Sequence, residues 1–394
     1  MIKREHYLKK IRGFYDSDLI KIITGIRRSG KSIILNQIMD EIKEKHDKNV
    51  IYLNFEDYGT KSKIPNAEAL IDYIKANKKP GMNYLFFDEI QEINDWALAC
   101  KTLRLDNNSL FITGSNSKLL AKEYITEFSG RYVSFRVRPF VYKEILEYTK
   151  ELGKECSVTD YIIWGGFPKR FEFSDDVERD TYLTDLNDSI IKNDLIVRYK
   201  IKNTELFQQV TNFVLQSNSR IISSNSINAY LKNEKIDSSV HTIISYLSYL
   251  EESYAIERIK PFSQKTKTEL SYRSKVYDAD VSFNSIRSGS PYDLTHNLEN
   301  IIYNELIYMG YTISVFNDKD GGEIDFFITK GNKSYYVQVA YSVAEKKAYN
   351  REFEAFNKLD NSIQKILITM DDVDFSTSTV RHISVKDFLL MDEL

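Results

Sequence analysis

The chain has 394 residues, of which 42% are hydrophobic and 28% are charged, and its formal net charge is −3. This composition excludes a disordered chain, the length predicts two to four domains, and the lack of an apolar leader or a long apolar run predicts a cytoplasmic protein without membrane contact. Because the net charge is close to zero, any contact with nucleic acid must come from a local basic patch.

The first 115 residues alternate short apolar segments with amphipathic ones. This alternation predicts a parallel sheet with right-handed helical crossovers, and we assign an α/β domain to residues 1–145. Strands are expected at 19–24, 49–55, 82–90 and 109–115, and helices at 31–45, 67–77 and 96–105.

Between the first predicted strand and helix lies the segment GIRRSGKS, which fits the phosphate-binding pattern GxxxxGK[ST]. Glycines let backbone N–H groups approach phosphate oxygens, and the start of the helix adds partial positive charge. We expect Lys31 to reach the β- and γ-phosphates of ATP and Ser32 to bind Mg²⁺. The predicted nucleotide-binding residues are Gly25, Ile26, Arg27, Arg28, Ser29, Gly30, Lys31, Ser32 and Ser115.

A second apolar strand, YLFFDE, ends in two acids. Asp88 is expected to bind Mg²⁺, and Glu89 to orient and deprotonate the attacking water. On the next strand, Ser115 or Asn116 is expected to contact the γ-phosphate or this water. Arg131 is a candidate charge donor to the γ-phosphate, within the chain or from a neighbouring subunit, and a surface salt bridge is the alternative.

Helical periodicity replaces the strand signal after the first domain and predicts a helical lid or linker over 146–200, interrupted by the turn WGGFP. Three helical stretches followed by two strands predict a winged helix over 201–285. A last series of helices and strands predicts a second α/β unit over 286–394.

The expected wing of the winged helix, residues 255–276, has six basic residues against Glu257 and Glu269. A surplus of positive charge of this kind binds DNA phosphates through counterion release, and a solvated basic hairpin is the alternative. The predicted recognition helix, 238–252, carries no lysine or arginine and would enter a groove through its polar uncharged side chains. The candidate DNA contacts are Arg258, Lys260, Lys265, Lys267, Arg273 and Lys275.

Residues 321–343 read as a hairpin with the pattern of a PD-(D/E)xK nuclease that has lost part of its site. Glu299 fits the acid on the preceding helix and Asp325 the aspartate, whereas Gln338 stands where a second acid is needed and Ala340 where the lysine is needed. An amide binds Mg²⁺ more weakly than a carboxylate, and alanine cannot orient water. We therefore expect a vestigial nuclease site on a fold used for docking, rather than an active nuclease.

Together, GIRRSGKS, YLFFDEIQ, ITGSN, SGRY…RPF and WGGFP resemble the bacterial and archaeal AAA+ superfamily ATPases that carry a C-terminal domain of unknown function. The resemblance spans nearly the whole chain. It implies an ATPase module, a winged helix and a restriction-endonuclease-like C-terminal domain.

The expected architecture is an α/β multidomain chain with a P-loop AAA+ parallel sheet core, a helical lid, a winged helix and a restriction-endonuclease-like α/β domain. The leading functional hypothesis is an ATPase that acts on, or is regulated by, DNA or a DNA-bound protein, with ATP and Mg²⁺ as ligands. The alternative is a nucleotide-controlled switch or assembly protein that binds only proteins. The sequence leaves homo-oligomerisation open.

Overall fold

The computed structural model describes residues 1–45, 49–115, 128, 130–262, 273–289, 292–317, 323–357 and 359–394. The chain divides into two compact units, one formed by 1–139 with 252–254 and the other by 140–251 with 255–394. Within the ranges just given, no helix is both long enough and apolar enough to cross a membrane.

The first unit is built on a sheet whose described strands all run parallel, in the order β2-β3-β4-β1-β5. All residues of β1, β3 and β4 are buried, as expected for a parallel sheet that is covered on both faces. The predicted alternation is confirmed for four strands, but β5 was missed. The strands are β1 (Ile20–Thr24), β2 (Asn49–Asn54), β3 (Asn83–Asp88), β4 (Asn108–Gly114) and β5 (Tyr132–Arg136).

Amphipathic helices cover this sheet and bury their apolar sides in a core that includes Phe55, Leu70, Phe87 and Trp96. Two of the helices begin at side chains that accept a backbone N–H, Asp57 and Asn66, as helix-capping residues do. The described helices of the first unit are Glu5–Ile11, Lys31–Lys45, Tyr58–Lys63, Ala67–Asn77 and Trp96–Arg104, with 3₁₀ turns at Arg12–Phe14 and Ile90–Glu92.

The strand order determines which side chains meet. Strand β4 lies between β1 and β3, with Thr24 opposite Gly114, and Asn54 of β2 lies opposite Asp88 of β3. The carboxyl ends of these parallel strands therefore form one edge of the sheet, and the loop after β1 lies at the same edge as the residues that follow β3 and β4.

The second unit begins with a helical region, as predicted for 146–200. Its helices are Tyr142–Glu151, Val158–Trp164 and Asp176–Ser189, followed by a π-helical segment, Ile190–Val197, with a 3₁₀ turn at Pro168–Glu172. Next come Thr204–Gln216, Ser224–Asn233 and Val240–Glu252, together with the antiparallel strands β6 (Ile221–Ile222), β7 (Ile256–Ile259) and β9 (Ser274–Asp278) in the order β6-β9-β7.

The C-terminal part contains a mixed sheet with the order β14-β13-β12-β11-β10-β8. Strands β11 and β12 form the predicted antiparallel hairpin. The strands are β8 (Pro261–Phe262), β10 (Thr312–Asn317), β11 (Glu323–Lys330), β12 (Lys333–Ala340), β13 (Gln364–Thr369) and β14 (Val380–Ser384). The described helices here are Ser282–Ser288, Leu294–Tyr308, Lys346–Glu354 and Val385–Leu389.

Candidate functional site

The loop after β1 has a backbone that requires its glycines. Gly25 has φ +145°, and a Cβ there would lie 2.1 Å from the Val137 carbonyl oxygen. Gly30 has φ +97°, and Arg28 also adopts a positive φ, 66°. This backbone leads directly into the helix that begins at Lys31, so the loop and the helix N-terminus form a cradle that suits phosphate.

Arg4 supports this loop from the N-terminal segment. Its side chain is 2% exposed, and its guanidinium donates to the carbonyl oxygens of Ser29 at 2.8 Å and Arg138 at 3.0 Å. The guanidinium also lies 4.6 Å from the ring centroid of Tyr7. One buried cation thus connects the phosphate loop to the segment after β5.

The Lys31 ammonium lies inside the loop. Its Nζ donates to the Ile26 carbonyl oxygen at 3.2 Å and lies 3.6 Å from Glu89 Oε1. The Ser29 hydroxyl is buried and has no hydrogen-bond partner within the described protein. A lysine ammonium inside the loop and a buried hydroxyl without a protein partner fit a phosphate group.

Asp88 is buried at the end of β3 and accepts two hydrogen bonds from neighbouring strands. The Tyr52 hydroxyl donates to Oδ2 at 3.2 Å, and the Thr113 hydroxyl donates to Oδ1. These bonds hold the carboxylate at the carboxyl edge of the sheet, where it could bind a metal ion together with Ser32 in the first turn of the helix Lys31–Lys45.

Glu89 has a left-handed backbone, φ 51°, which is costly for a residue with a side chain, and strained residues of this kind cluster at functional sites. Its N–H donates to Thr113 Oγ1 at 3.0 Å, and its Oε2 accepts the Ser115 N–H at 3.1 Å and the Gln91 amide at 2.5 Å. Burial alone would raise the pKa of Glu89, but the Lys31 charge and these hydrogen bonds outweigh it and lower the pKa. The carboxylate is therefore ionised at neutral pH.

The other residues predicted for this site are placed differently. Ser115 contacts Glu89 through its backbone, and Asn116 lies outside the described residues. Arg131 is exposed, and its carbonyl oxygen accepts the N–H of Ile20 at the start of β1, whereas the phosphate loop follows the other end of that strand, about 13 Å away at about 3.3 Å per residue. The predicted role of Arg131 as a charge donor to the γ-phosphate, within the chain or from a neighbouring subunit, stays a prediction.

Four residues of the site were missed by the sequence analysis: Arg4, Tyr52, Gln91 and Thr113. Thr113 lies in ITGSN, two residues before Ser115, and its place in the same motif as the Ser115–Asn116 pair was the available signal. Arg4 and Tyr52 reach the site through contacts distant in sequence, so no local pattern marks them.

A second cluster lies in the C-terminal part and joins β9, β11 and the helix Leu294–Tyr308. Lys275 is 3% exposed, and its Nζ lies 2.8 Å from both Asp325 Oδ1 and Glu299 Oε1. The Tyr277 hydroxyl donates to Glu299 Oε1 at 2.7 Å, and Asp325 Oδ2 accepts the Val339 N–H at 3.0 Å. The predicted role of Lys275 as a DNA contact is therefore wrong, because its ammonium is buried between two acids.

Burial and the neighbouring Asp325 charge raise the pKa of Glu299, whereas Lys275 and the Tyr277 hydroxyl lower it, and together these effects leave the pKa at about 8. Among the described residues, no group of three or more His, Cys, Asp or Glu side chains is arranged to hold a metal ion.

The remaining nuclease-like positions also have protein partners. Gln338 Oε1 accepts the Asp325 N–H at 3.1 Å, and its amide donates to Glu352 Oε2 at 2.9 Å. Ala340, at the position expected for lysine, packs in an apolar cluster with Val343 and Leu367.

Four of the six basic residues predicted to contact DNA lie within the described residues, and two of these four are paired with acids. Lys275 is buried, as described above, and Arg258 forms an ion pair with Glu251. Lys260 and Arg273 are exposed. The two remaining candidates, Lys265 and Lys267, lie outside the described residues.

Comparison with known protein families finds three matches along the chain. Residues 17–146 match a family described as an AAA domain, and residues 156–289 and 295–388 match two families described as domains of unknown function. An uncharacterized protein of Haemophilus influenzae is 32% identical over 380 residues, which cover 94% of this chain and 93% of the relative. The chain belongs to this family of AAA-domain proteins.

Relatives of this AAA-domain protein also occur in archaea. An uncharacterized protein of Methanocaldococcus jannaschii is 32% identical over 385 residues, covering 92% of this chain and 84% of the relative. Among solved structures, the Walker-type ATPase of Pyrococcus abyssi is similar, with a TM-score of 0.52 and 16% identity, and the match covers 73% of this chain and 96% of that one. This structural likeness shows a shared fold.

Proposed function

We propose that this AAA-domain protein hydrolyses ATP to ADP and phosphate in a Mg²⁺-dependent reaction. The observation that carries the proposal is the position of Glu89, whose ionised carboxylate lies 3.6 Å from the Lys31 ammonium at the mouth of the phosphate loop. A general base beside a phosphate-binding lysine is the arrangement that hydrolysis of a phosphoanhydride needs.

The chain's own residues divide the work. The backbone of residues 25–30 and the Lys31 ammonium bind the β- and γ-phosphates. The phosphate oxygens compete with Glu89 for that ammonium, which frees the carboxylate to orient water and take its proton. Thr113 and the Ser115 N–H hold the two acids in place meanwhile.

Ser32 and Asp88 are the residues that would hold the metal ion. When bound, Mg²⁺ supplies positive charge to the phosphate oxygens. Tyr52 and Thr113 keep the Asp88 carboxylate turned toward the edge of the sheet where the loop lies.

Two substitutions test this proposal. Lys31→Ala should abolish ATP binding, whereas Glu89→Gln should bind ATP but lose about 10²–10⁴-fold in turnover. Glu92→Gln is a matched control, because this exposed acid in the same turn pairs with Lys61 instead. Wild-type hydrolysis in both test variants would refute the proposal.

We also propose the finer architecture. Residues 1–145 form the ATPase core, 146–200 a lid, 201–285 a winged helix, and 286–394 a nuclease-like domain without nuclease activity. Three helices with an antiparallel sheet support the winged helix, and Asp325 on the β11–β12 hairpin supports the nuclease-like assignment.

A role on DNA, or on a DNA-bound protein, is the second part of the proposal. Its support is limited to the exposed Lys260 and Arg273 beside the expected wing. The test is ATP turnover with and without duplex and single-stranded DNA, in wild type and in Lys260→Glu/Arg273→Glu. A role on DNA is supported if DNA stimulates turnover by wild type and by Lys75→Glu/Lys101→Glu but not by Lys260→Glu/Arg273→Glu. If DNA neither stimulates ATP turnover nor binds at low salt, the result favours a switch that binds only proteins.

A further inference from the structure

The cluster around Lys275 raises the question of whether the C-terminal sheet holds a divalent cation. Oxygen ligands bind Mg²⁺ at about 2.0–2.1 Å and Ca²⁺ at about 2.3–2.6 Å, and both ions require several oxygens that face the same point. The oxygens available here come from Glu299, Asp325 and Gln338, the three residues that the sequence pattern assigns to a nuclease site.

Each of these side chains already has a donor from the protein. Asp325 accepts from Lys275 through one oxygen and from the Val339 N–H through the other. Glu299 Oε1 lies against Lys275 and the Tyr277 hydroxyl. A metal ion could reach these oxygens only by displacing the ammonium, so the residues present do not fit a divalent cation.

We propose that the Lys275 ammonium occupies the cation position between Glu299 and Asp325, so that this nuclease-like site is closed by an internal lysine instead of a metal ion. Both contacts measure 2.8 Å, the distance of a charge-assisted hydrogen bond. Because the lysine comes from β9, in the segment before the sheet, it also ties that segment to β11. The inference stands on these contacts and does not depend on ATP hydrolysis.

Gln338 agrees with this arrangement. Its amide accepts one N–H, from Asp325, and donates to the carboxylate of Glu352. A glutamate at this position could not donate to Glu352 and would place two carboxylates side by side. Glutamine therefore provides the acceptor and the donor that Asp325 and Glu352 need when no metal ion is bound. A glutamate at this position would instead suit a site that holds a metal ion.

The test measures Mn²⁺ binding to the full chain by paramagnetic resonance, without nucleotide. Any Mn²⁺ at the ATPase site is common to all variants, so the comparison counts ions gained or lost relative to wild type. Lys275→Met, which keeps the stem of the side chain and removes the charge, should bind one more Mn²⁺ per chain. Lys275→Met/Asp325→Asn should lose this ion again.

Thermal unfolding provides a second measurement should Lys275→Met fold poorly. Mn²⁺ should raise the melting temperature of Lys275→Met. Its effect on the melting temperature of wild type should be no larger than its effect on Asp325→Asn. Two results would overturn the proposal. One is a Mn²⁺ ion in wild type that Asp325→Asn loses, and the other is a folded Lys275→Met that gains neither an ion nor stability with Mn²⁺.

Discussion

Removal of the Arg4 guanidinium should weaken ATP binding, although this side chain does not line the phosphate cradle. Arg4→Met keeps much of the side-chain volume and removes both donors. The carbonyl oxygens of Ser29 and Arg138 then lose these two hydrogen bonds, which join the loop to the segment after β5.

The magnitude follows from these two hydrogen bonds. A bond from a charged donor contributes about 1.5–3 kcal/mol, and a buried carbonyl left without a donor costs about 1–3 kcal/mol. In Arg4→Met, the bound nucleotide must order the loop at Ser29 without the help of the guanidinium. A loss of about 1.5–3 kcal/mol of binding free energy corresponds to roughly a 10- to 100-fold weaker affinity. The Arg138 contact should contribute mainly to the stability of the first unit.

The assay is a titration with a fluorescent ATP analogue at a temperature where all variants are folded. Lys3→Met is the matched control, because this neighbouring side chain is mostly exposed and its partner Glu41 keeps its contacts with Arg12 and Tyr15. Arg4→Lys should fall between Arg4→Met and wild type. An Arg4→Met protein that is folded and binds the analogue as tightly as wild type would refute the reasoning.

Two further predictions concern the hydrolytic edge and a buried acid. Thr113→Val removes the hydroxyl that joins Asp88 and Glu89, so turnover should fall about 10- to 100-fold while ATP still binds. Thr113→Ser keeps the hydroxyl and should keep most of the turnover. Equal turnover in wild type and Thr113→Val would contradict this prediction. Burial raises the pKa of Glu305 from 4.5 to about 8, so the folded state keeps a proton that the unfolded chain loses, and stability falls as pH rises from about 4.5 to about 8. Glu305→Gln can still accept the Tyr142 N–H and should remove about 1.4 kcal/mol per pH unit from this slope in denaturant titrations; an unchanged slope would count against the assignment.

The parallel sheet and its phosphate loop could be predicted because their signals are local. Continuous apolar segments separated by amphipathic ones indicate a buried parallel sheet, and GIRRSGKS combines glycines, lysine and serine within eight residues. Strand β5 was missed because its residues are only partly buried, which leaves its apolar pattern weak.

The contacts that complete both clusters could not be predicted in the same way. Arg4 lies 25 residues from Ser29 and 134 from Arg138, and Lys275 lies 50 residues from Asp325. Pairings of this kind depend on the packing of whole elements. The sequence therefore marked Lys275 as one of several basic residues of a wing, whereas the structure buries it between two acids.

Phosphate release by wild type and Glu89→Gln at saturating ATP, with Glu92→Gln as the control, tests the central claim most directly. The position of Glu89 beside Lys31 predicts steady release by wild type and by Glu92→Gln, and a loss of at least about 100-fold in Glu89→Gln with ATP still bound. Equal rates in wild type and Glu89→Gln would contradict the assignment of Glu89 as the base.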